Sequence, residues 1–166
     1  HYWSNEDDKI LKPKEIKNLL RIFPHTKVIS SHSLRQKFGY EGVIDRDIKY
    51  VTILRDPIER YLSNYYFQKD VMGIDWTFES FLQEDRFHNF MVKKLTGEDN
   101  LKMAKKIIND FFFVGFVEEF DKSLILLKNN LENNFNINYR KRRVNSNKKH
   151  NKYAERLTSK QLDIVK

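Results

Sequence analysis

Two kinds of hydrophobic run alternate along this chain. In one, apolar residues recur every three or four positions, which is helix spacing. In the other they are continuous and rich in β-branched or aromatic residues, which is strand character. Ile16, Leu19, Leu20 and Phe23 keep helix spacing behind Pro13, with lysines on the wet face, and Pro24 closes that helix. Thr26 to His32 reads as a short strand running into a loop. Ser33 to Ile48 reads as a loop with room for one helical turn, and Gly39 and Gly42 mark turns in it. Tyr50 to Arg55 reads as a buried strand. Asp56-Pro57 ends it and opens a helix over 57–70. Asp56 suits the N-cap, Pro57 the first helical position, and Glu59 the place from which a capping-box carboxylate reaches back. Gly73 breaks this helix, and Thr77 caps another whose apolar face is Phe78, Phe81 and Leu82. Phe87 to Leu95 looks helical and stops at Gly97, and Glu98 to Asn109 is helical again. Phe111 to Val117 is a second buried strand, followed by a helix from Glu118 to about Asn134. Leu157 to Leu162 resembles a capped helix start. The alternation predicts an α/β domain with a parallel sheet and crossover helices.

Composition narrows this picture. The 166 residues suit one domain over 1–166 with a sizeable core, and 13 Phe and 8 Tyr against 5 Gly argue against disorder. A formal charge of +8 asks for an anionic partner. Nucleic acid, a nucleotide, an anionic glycan and an acidic membrane surface stay open on that ground. The chain has no cysteine, which excludes disulfides and Cys-ligated zinc and is compatible with a reducing compartment. No Cys/His cluster has metal-ligand spacing, no apolar run is long enough to span a bilayer, and no signal peptide or internal repeat is visible. The first residue is His1 rather than Met, so a trimmed piece is the expectation.

The chemistry concentrates at the strand-to-helix junction. Arg55 falls at the carboxyl end of a strand, beside the positive end of a helix, and Ser63 lies roughly 9 Å along that helix at 1.5 Å per residue. A guanidinium, a hydroxyl and a helix start together suit a phosphate. The competing reading is a surface ion pair and a passive serine. His32 would likewise sit at a strand end, where open α/β sheets bind ligands, although on the residues alone an ordinary loop or packing histidine is the favoured reading. Glu118 and Glu119 suit helix-capping roles better than general-base roles. The tract 139–152 is basic throughout and reads as a solvated loop or a nucleic-acid tail.

Arg55-Asp56-Pro57, followed by Arg60, Ser63, Tyr65 and Tyr66, resembles the 3′-phosphate-binding segment of sulfotransferases that use 3′-phosphoadenosine 5′-phosphosulfate (PAPS). The likeness is greatest to the carbohydrate, heparan sulfate 2-O-sulfotransferase-like group. Phe113-Val114-Gly115-Phe116-Val117-Glu118-Glu119-Phe120-Asp121-Lys122-Ser123-Leu124 resembles a later segment of the same group. The resemblance implies a P-loop-NTPase-like fold, PAPS as donor and PAP as product, no metal, and a hydroxyl acceptor, expected to be a glycan. It implies that Ser31-His32 matches the pair whose histidine is the catalytic base, that Arg55 and Ser63 hold the 3′-phosphate, and that Arg143, Asn145 and Lys148 lie in a loop closing over the nucleotide. The family's N-terminal Pro-Lys-x-Gly-(Thr/Ser) loop for the 5′-phosphosulfate has no counterpart, since Pro13-Lys14-Glu15 lacks the glycine and the preceding strand. The expectation is a single domain cut short at the N-terminus and lacking a closing helix. It would be cytoplasmic or, alternatively, a luminal Golgi domain freed of its anchor. The rival from another class is a non-catalytic module that binds a polyanion, either nucleic acid or an anionic glycan. A nucleotide kinase would need a Gly-Lys-Ser/Thr phosphate loop, which the chain does not have.

Overall fold

The computed structural model describes residues 10–131, 136–139, 157–159 and 161. Among them the chain forms helix α1 (Pro13–Ile22), strand β1 (Val51–Leu54), helices α2 (Pro57–Tyr66), α3 (Phe78–Leu82), α4 (Phe90–Thr96) and α5 (Leu101–Asn109), strand β2 (Phe113–Phe116) and helix α6 (Phe120–Asn130). The two strands pair directly. Phe113 donates its N–H to the Tyr50 carbonyl at 3.3 Å and Val117 to Leu54 at 2.8 Å. Both chains advance together along the ladder, so the sheet is parallel, and the connection between its strands is the helical crossover a parallel pair requires. The fold is mixed α/β. Two compact units divide the chain: residues 1–51 with 91–113, and residues 52–90 with 114–166.

In the first unit α1 starts with Pro13 at its first position, and Glu15 turns back to accept the Lys12 N–H at 2.8 Å. Ile16 is its buried residue. The expected third strand, at 26–32, does not form. The backbone there makes no ladder, Val28 is 81% exposed, and Arg46 occupies the carbonyls of Pro24 (2.7 Å) and Thr26 (3.3 Å). A strand with no partner and no apolar face to bury has nothing to hold it. The loop after it contains two short 3₁₀ turns, Gln36–Phe38 and Tyr40–Gly42. Buried Tyr40 anchors this loop by donating its hydroxyl to the Leu11 carbonyl at 2.7 Å. Helix α4 stops where Gly97 takes a left-handed backbone, φ 82°. Asn100 then caps α5 through the Met103 N–H at 2.9 Å. The expected start of α4 at Phe87 moves to Phe90. Asp85–Phe87 forms a 3₁₀ turn instead, and Asn89 adopts φ 48°, which a helix interior does not allow.

The second unit is built on an aromatic cluster. Tyr61, Leu62, Tyr65 and Tyr66 of α2 pack with Phe81 and Leu82 of α3, and Ile58, Trp76, Phe78 and Phe87 close around them. Tyr61, Tyr65 and Trp76 meet Phe81 edge-on at 5.1, 5.3 and 5.9 Å, while Phe87 stacks on it at 4.3 Å. Each well-oriented ring pair contributes about 0.5–1.5 kcal/mol beyond burial. This fixes the inner face of α2. By the helix period, Glu59, Arg60 and Ser63 then fall on the outer face. The tyrosines available to flank a base are committed here as core. Both strands were expected to be buried, but they are only partly so: Val51 and Phe116 lie open to solvent, and of the eight strand residues only Gly115 is fully buried.

Candidate functional site

The junction between β1 and α2 lies in the second unit and forms as the sequence implies. The Asp56 carboxylate caps α2 by accepting the Glu59 N–H at 2.9 Å. Glu59 does not reach back to complete a capping box. The Asp56 N–H is taken instead by Glu118 Oε1, at 2.9 Å and 62 residues along the chain. Glu118 therefore has the structural role its position suggested, and Glu119 pairs with Lys122 at 2.9 Å. Freed from the cap, Glu59 lies 3.4 Å from an Arg55 Nη2. That i,i+4 pair is 29% and 28% exposed and has a long contact, so it is a light latch worth under about 1 kcal/mol.

Arg60 follows on the same turn. Its guanidinium carbon sits 4.2 Å from the centre of the Phe90 ring. Burial, and then the like charge of Arg55, hold its pKa below the usual arginine value. No carboxylate pairs with it among the described residues. Ser63 stands three residues further on, and its hydroxyl makes no hydrogen bond among the described residues. A helical serine commonly bonds back to the preceding turn, so an unengaged hydroxyl is available to a ligand. Two guanidiniums, a hydroxyl and a helix N-terminus therefore share one side of the junction. Such a set is chemically suited to an oxyanion.

His32 belongs to the first unit. With no strand before it, it stands in a turn rather than at a strand end, and its side chain is exposed. Its backbone is nonetheless fixed. Arg35, 5% exposed, donates from Nη1 to the carbonyls of His32 (2.6 Å) and Leu34 (2.8 Å). Ser31 Oγ accepts the Ser33 N–H at 3.0 Å, and the Ser33 carbonyl accepts from Leu11 at 3.0 Å. Arg35 is thus a buried clamp rather than a solvated loop cation. Arg143, Asn145 and Lys148 lie outside the described residues.

The geometry gives surroundings to three residues whose contacts the sequence does not specify: Arg35, Arg60 and Glu118. Arg60 carried a signal, since its spacing of three from Ser63 puts the two on one helical face. For Arg35 and Glu118 no signal named the partner, because their partners are set by chain reversals that no local pattern encodes.

The family model of the sulfotransferase domain matches residues 8–112, well over half of the chain. The chain belongs to the sulfotransferase family. The matched stretch runs from just before α1 to the residue preceding β2 and includes the Arg55–Ser63 junction. Sulfuryl transfer is the activity this family defines, with PAPS its general donor. No curated protein and no solved structure matches the chain. Among the described residues no helix is long and apolar enough to cross a membrane.

Proposed function

We propose that this chain is a PAPS-dependent sulfotransferase domain acting on a hydroxyl of a carbohydrate, within the heparan sulfate 2-O-sulfotransferase-like group. The observation that supports the donor assignment is the β1–α2 junction, where Arg55 precedes the capped start of α2 and the Ser63 hydroxyl is unengaged among the described residues, groups that suit an oxyanion. Arg55 and Ser63 hold the 3′-phosphate and so fix the orientation of the donor, which is a large part of the rate available to a group transfer. PAPS supplies the sulfuryl group and leaves as PAP. His32 accepts the proton released by the acceptor hydroxyl, as an exposed imidazole is able to do. Arg35 positions His32 through its backbone. Arg143, Asn145 and Lys148 are the further nucleotide-binding residues of this reading. The charge of +8 draws in both donor and acidic acceptor. We infer one domain over 1–166, acting in the cytoplasm or, alternatively, in the Golgi lumen.

The test is a calorimetric titration with adenosine 3′,5′-bisphosphate and with 5′-AMP, on the native sequence and on Arg55→Ala. The bisphosphate should bind at least tenfold more tightly, and the substitution should abolish the difference, since a hydrogen bond to a charged group is worth about 1.5–3 kcal/mol. Equal affinity for the two nucleotides, falling steeply with salt, would overturn the reading in favour of a polyanion-binding module.

A further inference from the structure

Of the two guanidiniums at the β1–α2 junction, the one nearer the strand is already occupied. Arg55 faces Glu59 at 3.4 Å, and an anion arriving there meets a cation whose charge is partly offset. Arg60 has no such partner among the described residues. It is half-buried, and the flat face of Phe90 braces its guanidinium at 4.2 Å. A half-buried cation without a counter-ion is an unfavourable arrangement unless something else compensates it. The ring supplies part of that compensation. The rest is missing, and an anion is the group that supplies it. The position agrees with this. Arg60 and Ser63 are three apart on the outer face of α2, so an oxygen accepting from the Ser63 hydroxyl is within reach of an Arg60 side chain lying along that face.

We propose that Arg60 is a third ligand of the phosphate held at this junction, and that it supplies the uncompensated charge by which the site prefers a dianionic phosphomonoester. This rests on the 3′-phosphate reading of Arg55 and Ser63. Arg55 and Arg60 repel each other in the free protein, and the phosphate relieves that repulsion by bridging them. The guanidinium's planar fork suits two oxygens of one phosphate, which an ammonium does not.

The experiment titrates adenosine 3′,5′-bisphosphate and 5′-AMP into the native protein, Arg60→Gln, Arg60→Lys, Phe90→Leu and Arg55→Ala, with a thermal melt of each. Arg60→Gln should weaken the bisphosphate about tenfold or more and leave 5′-AMP unchanged. Arg60→Lys should recover only part of the loss. Phe90→Leu should lower Tm while keeping most of the preference. If Arg60→Gln lowers Tm as Phe90→Leu does but leaves the bisphosphate preference intact, Arg60 only packs on the ring and the inference fails while the 3′-phosphate reading stands. If the native protein shows no preference, both fall. In the native protein the Arg60 Nε–H resonance should shift on adding bisphosphate and not on adding 5′-AMP. An unmoved resonance in the presence of saturating bisphosphate overturns the inference even if Arg60→Gln does not fold.

Discussion

Glu59 is a competitor for the very cation that the proposed ligand needs. Its carboxylate lies 3.4 Å from Arg55, and whatever binds there has to displace it or share the guanidinium with it. Glu59→Gln removes that competition and one negative charge beside the phosphate. We expect the affinity for adenosine 3′,5′-bisphosphate to rise about two- to fivefold, with little change in Tm because exposed pairs of this kind contribute so little. Titration calorimetry beside a melt checks both halves. At this scale the local part of the site could be read from the chain. The spacing of Arg55, Asp56, Pro57 and Ser63 encodes a cap and a helix face, and both form. What could not be read was which charge meets which. Whether Glu59 caps α2 or pairs with Arg55 depends on Glu118 having taken the Asp56 N–H, and Glu118 arrives from 62 residues away. The fate of Arg35 has the same origin, since it is buried by a loop whose course no periodicity predicts.

Strand β2 is joined to α6 by a single buried side chain. Ser123 Oγ accepts the Phe116 N–H at 2.9 Å and donates to the Phe116 carbonyl at 3.2 Å. Both backbone groups at the end of the strand thus depend on one hydroxyl. Ser123→Ala leaves them without that partner at a strand end that is only partly buried, and should cost about 1 kcal/mol, read as a lowered Tm or urea midpoint. Helices were the most legible elements. Their caps are local: Pro13 with Glu15, Asp56, Thr77 and Asn100 each act within three residues. The reciprocal bonds between Thr158 and Gln161 follow the same rule. Strands were less legible, because an apolar run states a wish to be buried and not the identity of a neighbour. The runs at 50–55 and 111–117 found each other. The run at 26–32 has no ladder partner among the described residues, and so stays extended and open.

For the molecule as a whole, alkaline pH is the condition to avoid. Burial raises the pKa of Tyr61, and burial, helped by the neighbouring Glu41 carboxylate, raises that of Tyr50. In the unfolded chain both phenols ionise near pH 10. A folded value above the unfolded one means that stability is intact below about pH 10 and is lost as the pH climbs towards the folded value. Melts at pH 8 and pH 10.5 should show a marked drop in Tm. Tyr61→Phe loses the hydroxyl bond to the Phe81 carbonyl (3.0 Å), which costs about 1 kcal/mol at pH 8, but it should narrow the gap between the two melts. If the gap is as wide as in the native protein, Tyr61 is not a source of the alkaline loss. Two α/β strands, a basic charge and a family-specific junction were all visible in the sequence. The number of strands in the sheet and the balance of charge at the junction required the fold.

The bond between Asp56 and Glu118 has a consequence for how the protein is made. Synthesis runs at about 5–20 residues per second, so Glu118 is added roughly 3–12 seconds after Asp56. Through that interval the growing chain holds Arg55, Arg60 and Ser63 without the strand and carboxylate that tie the start of α2 in place. The proposed anion site is therefore a late product of translation, and a ribosome paused before β2 would display a basic, half-assembled junction open to any polyanion nearby.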